Sequence, residues 1–188
     1  MSGLALEVPA RPAALALEIA RRWDGALLPD LRARVLLSAE RDGLRVEAGM
    51  NHARVPRIPD APRGARVADL WEYDVVECFV VGEDGRYFEL ELGAGGHYLA
   101  LAFAAPRRRA NDFARESLKV EWEGGANAWR ARCVVPRAWL PEPIARANAF
   151  AIAGGEFAAH TPVGGDQPDF HRPHAFPSAR IPSWESAR

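Results

Sequence analysis

Apolar and polar side chains alternate with a period of two over much of the chain, the pattern of β-strands that bury one face. Two such runs cover residues 34–39 and 44–50, and Asp42-Gly43 lies between them. An Asp-Gly pair between two alternating runs is a strong signal for a hairpin. We therefore predict a β-hairpin with one buried face in this part of the chain.

Further strands follow at short intervals. They are predicted at residues 73–81, 87–92, 97–103, 118–123, 129–135 and 147–153. Asp84-Gly85 and the glycine-rich residues 93–96 provide tight turns, so the first three of these strands should form an antiparallel meander. About eight hairpin-linked strands without a strong helix predict an all-β antiparallel sandwich with long loops.

Several segments lack a regular pattern. They are residues 1–29, 51–69, 106–115 and those that follow Gly154. Residues 13–23 are rich in Ala and Leu, which suits a helical turn, but nearby prolines favour an irregular lead-in segment. A chain of 188 residues fits one domain, so we expect residues 1–188 to form a single sandwich with its core at about residues 30–182.

The balance of charge limits the classes of partner. The chain has 24 Lys and Arg against 25 Asp and Glu, a net charge of −1. A general binder of nucleic acid or anionic membranes would carry a basic excess. There is no signal-peptide pattern and no apolar run close to the ~20 residues of a membrane span. We expect a cytoplasmic protein without a nucleic-acid or membrane partner.

The two cysteines, Cys78 and Cys133, lie in apolar, strand-like contexts. Two cysteines do not make a disulfide framework, and no Cys-x-x-Cys metal spacing occurs. We expect both to be reduced and buried, because a free cysteine behaves as a small apolar residue. A bridge between them stays open if their strands face each other.

Three glutamates within predicted strands are the most informative polar residues. Glu77 shares a face with Val75 and Phe79, and Glu89 and Glu91 share a face of the next strand. Glutamate is disfavoured in strands, and like charges on neighbouring strands repel. Either this face is solvated and balanced by arginines, or it holds a polar ligand or metal, or two of the carboxyls act as a glycosidase-like acid–base pair. The arginines that could balance a solvated face are Arg86, Arg130 and Arg132.

Aromatic and histidine side chains supply further candidates. Trp71 and Tyr73 lie where the long loop enters a strand, so they either stack on a sugar or base or anchor the loop. Trp122 and Trp129 fall on predicted inward positions and should pack in the core. His97 lies two residues from Leu99 on an apolar-facing set, which favours a structural histidine over a ligand contact.

The loops carry two other polar sets. In the C-terminal segment, Asp169 and His171 are expected to pin the loop through hydrogen bonds to the backbone; zinc binding by His171 and His174 is the alternative. Several arginines lie in the two loops at residues 51–69 and 106–115. They could form an anion site if both loops lie at one end of the sandwich. These arginines are Arg54, Arg57, Arg63, Arg66, Arg107, Arg108 and Arg109.

Three sequence blocks resemble a known family. They are residues 70–77 (LWEYDVVE), 87–92 (YFELEL) and 96–101 (GHYLAL), and residues 111–113, 129–139 and 168–171 also fit. The chain resembles, over about residues 30–180, an uncharacterised family found in bacteria and vertebrates. That family is distantly similar to the DOMON-like group that contains the family 9 carbohydrate-binding modules. The resemblance implies a jelly-roll-like sandwich, sugars held between aromatic rings, and structural calcium.

No phosphate-binding glycine loop, nucleophile elbow or His-Glu-x-x-His zinc motif occurs in the sequence. We therefore expect a bacterial, non-catalytic module that binds a carbohydrate or a related small polar molecule, with no cofactor beyond the calcium that the resemblance implies. The alternatives are a carboxylate- or metal-dependent hydrolase acting on a sugar, and a protein-interaction domain. The candidate ligand-binding residues are Arg54, Trp71, Tyr73, Glu77, Glu89, Glu91, His97, Asp169 and His171.

Overall fold

Two antiparallel sheets pack face to face in this protein, which confirms the predicted all-β sandwich. The structure is a computed structural model that describes residues 14–52, 54–125 and 128–181. Within these ranges the only helical elements are three single 3₁₀ turns. They are Leu70–Glu72, Arg137–Trp139 and Pro173–Ala175. None of the helical elements in the described ranges has the length and apolar character needed to cross a membrane.

The first sheet, sheet A, has five strands in the spatial order β1-β3-β4-β10-β9. Its strands are β1 (Leu15–Ile19), β3 (Leu31–Glu40), β4 (Gly43–His52), β9 (Glu121–Gly124) and β10 (Ala128–Pro136). The predicted hairpin is β3–β4, and Glu40 pairs with Gly43 across its turn.

The second sheet, sheet B, has seven strands in the spatial order β2-β12-β11-β5-β6-β7-β8. Its strands are β2 (Arg21–Arg22), β5 (Val75–Gly82), β6 (Tyr87–Gly93), β7 (Tyr98–Ala105), β8 (Arg108–Asn111), β11 (Ile144–Ala153) and β12 (Glu156–Ala159). The predicted meander is β5–β6–β7, which forms the centre of this sheet.

Sheet A buries one face, as alternation requires. Along β3, buried residues such as Val35 and Leu37 alternate with exposed or half-buried ones. These side chains meet the inner face of sheet B, where Phe88 and Leu90 belong to the same apolar cluster. This cluster is the core between the sheets.

Sheet B is buried on both faces, which the sequence pattern did not indicate. All residues of β5 and β6 are buried. Its outer face carries a second apolar cluster that includes Phe79, Tyr87 and Phe150. Irregular chain covers this face: Leu70 comes from the long loop that follows β4, and Phe170 and Phe176 come from the segment that follows β12. We call residues 160–181 the C-terminal cover.

Four strands lie where irregular chain was predicted. Strand β1 occupies the lead-in segment and pairs with β3, where Leu17 and Ile19 are buried. The two-residue strand β2 follows in the same segment and pairs with β12. Strand β12 follows β11 after a Gly154-Gly155 turn in which both glycines have positive φ, a conformation that favours glycine. Strand β8 forms within the basic loop and pairs with β7.

Two different reasons explain these misses. Strands β2, β8 and β12 are too short or too exposed to show a clear alternation. Strand β1 does alternate, but the prolines near it favoured an irregular segment.

Core predictions for single residues had mixed outcomes. Cys78 and Cys133 are both free and buried in the core between the sheets, and Trp129 is 2% exposed. The prediction for Trp122 was wrong, because this side chain is 39% exposed. It lies on the edge strand β9, where the Arg63 guanidinium covers the ring at 5.1 Å. Trp184 lies outside the described residues.

Candidate functional site

The three strand glutamates meet on the covered outer face of sheet B. Glu77 pairs directly with Glu91 across β5 and β6, and Glu89 lies two residues from Glu91 on the same face. All three are buried, with at most 3% exposed. The expectation of a solvated face balanced by arginines was therefore wrong, because irregular chain covers it. The three arginines pair elsewhere: Arg86 with Asp84, Arg130 with Glu123 and Arg132 with Glu121.

Burial changes the proton affinity of these carboxyls. Loss of solvation raises the pKa of Glu89 to about 8, although Arg109 and Arg107 partly oppose the change. It also raises the pKa of Glu77 and Glu91 well above the ordinary range, and the charges of neighbouring carboxyls add to the effect. The structure therefore favours protonated carboxyls at this place at neutral pH.

Two of the carboxyls are poorly satisfied by hydrogen bonds. Both oxygens of Glu91 and Oε2 of Glu89 are buried without a partner of normal hydrogen-bond geometry among the described residues. The carboxyls of Glu89 and Glu91 lie close enough to share a proton. This contact taken alone lowers the pKa of Glu89 and raises that of Glu91, but burial is the larger effect and keeps both pKa values raised. A polar group without a partner in the interior destabilises the folded state.

The acidic cluster does not have the form of a metal site. No three His, Cys, Asp or Glu side chains within the described ranges are arranged to hold a metal ion. The calcium implied by the resemblance and the zinc alternative at His171 and His174 thus find no matching donor set there. We derive no chemistry through a metal.

A hydrogen-bonded network joins the C-terminal cover to sheet B. The hydroxyl of Tyr87 lies 2.9 Å from Nδ1 of His171, and the Arg107 N–H donates to the same hydroxyl at 3.0 Å. Asp169 accepts from the backbone N–H of His171 at 3.1 Å and from the Arg107 guanidinium at 2.7 Å. Burial and the charge of Arg107 lower the pKa of His171 to about 4. The imidazole is therefore neutral at neutral pH, with Nε2 at 4.0 Å from Oε2 of Glu89.

His97 lies apart from this network. Its side chain is fully buried, and Nε2 is 3.1 Å from the carbonyl oxygen of Ala61 in the long loop. That contact ties the loop to the turn between β6 and β7. The geometry suits a structural role, as the sequence favoured.

An open cleft of about 300 Å³ lies where the long loop enters β5. Its lining combines two arginines, an aromatic ring, two acidic residues and a glycine turn. The lining residues are Arg54, Val55, Arg57, Glu72, Tyr73, Asp74, Ile152, Gly154 and Gly155. Of the predicted ligand contacts, it brings together only Arg54 and Tyr73. Trp71 lies outside it on the adjacent 3₁₀ turn and is 38% exposed.

Asp74 holds the two sides of this cleft together. Its carboxylate accepts from the N–H of Arg57 at 3.2 Å and from the N–H of Gly154 at 3.1 Å. Its own N–H donates to the Arg57 carbonyl at 3.0 Å. Asp74 was not among the sequence-predicted site residues. An aspartate just before strand β5 was the available signal, since its partners are distant in sequence.

We expect Asp74→Ala to lower the free energy of unfolding by about 1–3 kcal/mol, because it leaves two N–H groups without their acceptor. Urea unfolding of the variant and the wild type measures this loss. Asp60→Ala is the control, since Asp60 is an exposed residue of the same loop. Equal stability of the two variants would contradict the role given to Asp74.

Sequence and structure comparisons place the chain among known proteins. No family model matches it. It is 30% identical to a mouse protein named UPF0462 protein C4orf33 homolog, over 80% of this chain and 83% of the relative. The human UPF0462 protein C4orf33 is 27% identical over 82% of each chain. These relatives are vertebrate proteins, which contradicts the expected bacterial assignment.

A solved structure supports the fold. A crystal structure from Bacteroides uniformis, described as a "putative carbohydrate-binding protein", superposes with a TM-score of 0.68 at 17% identity. The match covers 88% of this chain and 85% of that one. At this identity the similarity extends to the fold alone. The similarity to the mouse protein, in contrast, shows the family: the chain belongs to the UPF0462 family, whose human member is C4orf33.

Proposed function

We propose that this protein is a non-catalytic module that binds a carbohydrate or a related small polar molecule in the cleft beside Tyr73. The observation that carries the proposal is the lining of that cleft, where an aromatic ring and several polar groups surround about 300 Å³ of open space. Ligand sites in proteins combine a concave surface with a few polar groups of this kind. The carbohydrate-binding description of the structural relative agrees with this choice.

The cleft offers the two contacts that a sugar requires. The part of the Tyr73 ring that Arg57 leaves uncovered can pack on the apolar face of a pyranose ring. The arginines and Glu72 can donate to and accept from hydroxyl groups. Trp71 lies one turn away on the surface and can extend the contact to a second sugar unit. Together they suit a mono- or disaccharide better than a long polymer.

The remaining candidate residues have a supporting part in this proposal. Glu77, Glu89 and Glu91 lie beneath the C-terminal cover, where a ligand would reach them only after the cover had moved. Asp169 and His171 attach that cover to sheet B. Asp169 and His171 therefore hold the cover in place while the ligand binds at the edge of the outer face.

We expect Tyr73→Ala to weaken binding of the best sugar by about tenfold or more without a comparable loss of stability. Titration of ¹⁵N-labelled protein with neutral and acidic mono- and disaccharides, followed by NMR, identifies the sugar and locates its site. Trp122→Ala is the control, because the Trp122 ring also lies under an arginine but does not line the cleft.

Chemical-shift changes at Gly154 and Gly155 that Tyr73→Ala abolishes and Trp122→Ala retains would support the proposal. A sugar whose shift changes lie elsewhere, or whose affinity is equal in both variants, would place binding outside the cleft. Absence of saturable binding for every sugar would reject a carbohydrate ligand.

Hydrolysis of a sugar is the second candidate, and the acidic cluster is the observation that favours it. A protonated Glu89 beside another carboxyl resembles the acid of a glycosidase pair. The proposal of a binding module ranks above it because the cleft is open and the carboxyls are covered. The same NMR samples distinguish the two, since an enzyme would convert a disaccharide over hours and a binding module would leave it intact.

A further inference from the structure

We infer that Arg54 and Arg57 form an anion-binding subsite, so that the ligand of this cleft is an acidic sugar, bearing a carboxylate or phosphate group. This inference rests on the proposed function and names the ligand class. Four observations support it: the placement of Arg54, the placement of Arg57, the absence of ion-pair partners for both among the described residues, and the engagement of Asp74 by backbone groups.

Arg54 is seated on the turn between β11 and β12. A Cβ atom added at Gly154 would overlap the Arg54 guanidinium, so the glycine makes room for it. Gly154 also has a φ of 60°, a left-handed conformation that favours glycine. The guanidinium therefore lies against bare backbone at one wall of the cleft.

Arg57 is held at the opposite side. Its backbone forms two hydrogen bonds with Asp74, at 3.2 and 3.0 Å. Its guanidinium carbon lies 5.2 Å from the centre of the Tyr73 ring, a cation–π distance. No side-chain hydrogen bond of Arg57 to a described residue accompanies this contact, so its N–H donors can serve a ligand.

Neither Arg54 nor Arg57 forms an ion pair with a described residue. Ten of the 19 other arginines in the described ranges do. They are Arg22, Arg34, Arg45, Arg66, Arg86, Arg107, Arg130, Arg132, Arg137 and Arg172. A second, smaller cleft of about 250 Å³ makes the contrast clear. Its arginines, Arg45 and Arg132, are neutralised by Glu40 and Glu121.

The acidic residues of the lining form no ion pair with either arginine among the described residues. Both carboxylate oxygens of Asp74 already accept backbone N–H groups, one from the loop and one from the turn. Glu72 is exposed and forms no ion pair with a described residue. Two guanidinium groups in one cleft repel each other, and an oxyanion relieves this repulsion while it accepts charge-assisted hydrogen bonds.

The test compares four probes on the whole protein: glucose, glucuronate, glucose 6-phosphate and inorganic phosphate. Each is titrated by calorimetry and by NMR, at low and at moderate salt. Arg54→Gln and Arg57→Gln are the test variants, because they remove charge and keep polarity. Arg130→Gln is the control, since Arg130 is exposed on sheet A and away from the cleft. Thermal unfolding confirms that all three variants fold.

We expect at least one anionic sugar to bind about tenfold or more tightly than glucose, with an affinity that falls as salt rises. Each test variant should abolish this advantage, and Arg130→Gln should retain it. Glucuronate and glucose 6-phosphate distinguish a carboxylate from a phosphate ligand.

The anion subsite and the binding of a sugar can be rejected separately. Equal binding of glucose and both acidic sugars, unaffected by either test variant, would overturn the anion subsite and leave sugar binding intact. Binding of inorganic phosphate that both test variants abolish, without binding of any sugar, would support the anion subsite and reject a carbohydrate ligand. No binding of any probe would overturn both.

Discussion

Glu91→Gln should make the protein more stable at pH 8 and leave its stability at pH 5 nearly unchanged. In the wild type, burial and the neighbouring carboxyls Glu77 and Glu89 raise the pKa of Glu91 well above its ordinary value of 4.5. The folded state therefore retains protons that the unfolded chain releases between pH 4.5 and the raised values. Since the unfolded state binds fewer protons there, the free energy of unfolding falls as pH rises.

The amide of Gln has the shape of the protonated carboxyl and does not ionise, so the variant removes one group from this pH dependence. One unit of pKa corresponds to about 1.4 kcal/mol, and we expect a gain of at least that order at pH 8. His171 acts in the opposite direction, because its pKa is lowered from 6.5 to about 4 in the folded state. As pH falls below about 6.5 the unfolded chain binds a proton at this histidine that the folded state does not, so the free energy of unfolding falls. The wild type should therefore be most stable in mildly acidic solution.

Urea unfolding of the wild type and Glu91→Gln at pH 5 and pH 8 measures the effect. Glu123→Gln is the control, because the Glu123 side chain is 75% exposed beside Arg130. Because His171 lowers stability at pH 5, the test is the difference between the two proteins at each pH. A difference in stability between the wild type and Glu91→Gln that is the same at pH 5 and pH 8 would contradict the protonated cluster.

Phe150→Ala should lower the free energy of unfolding by about 3–5 kcal/mol, the cost of emptying a large apolar site. Phe150 is fully buried on the outer face of sheet B. Its ring meets Phe79 edge to face at 5.4 Å and stacks on Phe170 at 4.0 Å. Phe170 and Phe176 belong to the C-terminal cover, so the substitution removes the contacts that both rings make with Phe150.

The same variant should expose the cover to protease. Limited proteolysis, with the cleavage site read by mass spectrometry, should find new cuts between residues 160 and 175. Phe157→Ala is the control, since Phe157 is only half-buried and meets Phe170 at 6.2 Å. Equal stability loss and equal cleavage in the two variants would show that Phe150 does not anchor the cover.

The sequence predicted well the strands that bury one face. In β3, β4 and β10 the alternation located the strands and their inward residues, because solvent on the outer face selects polar side chains. Asp84-Gly85 located the β5–β6 turn in the same way, since this dipeptide suits the backbone of a tight hairpin. The shared face of Glu77, Glu89 and Glu91 also followed from the period of two.

The burial of that face could not be predicted. It depends on the C-terminal cover, whose backbone is irregular and whose contacts with sheet B join residues far apart in sequence. The hydrogen bond between Tyr87 and His171, for example, spans 84 positions. The cleft was missed for the same reason: Asp74 joins Arg57 to Gly154, and neither periodicity nor composition relates these residues.

Burial of sheet B on both faces has a consequence for how this sequence can change. In β10, every second residue meets solvent, so polar and charged side chains can be exchanged there at little cost. In β5, all eight residues are enclosed, and a substitution at any of them must match both volume and polarity. Substitutions within the family should therefore accumulate in sheet A, the loops and the rim of the cleft. The sequences of the central strands of sheet B should differ least among relatives.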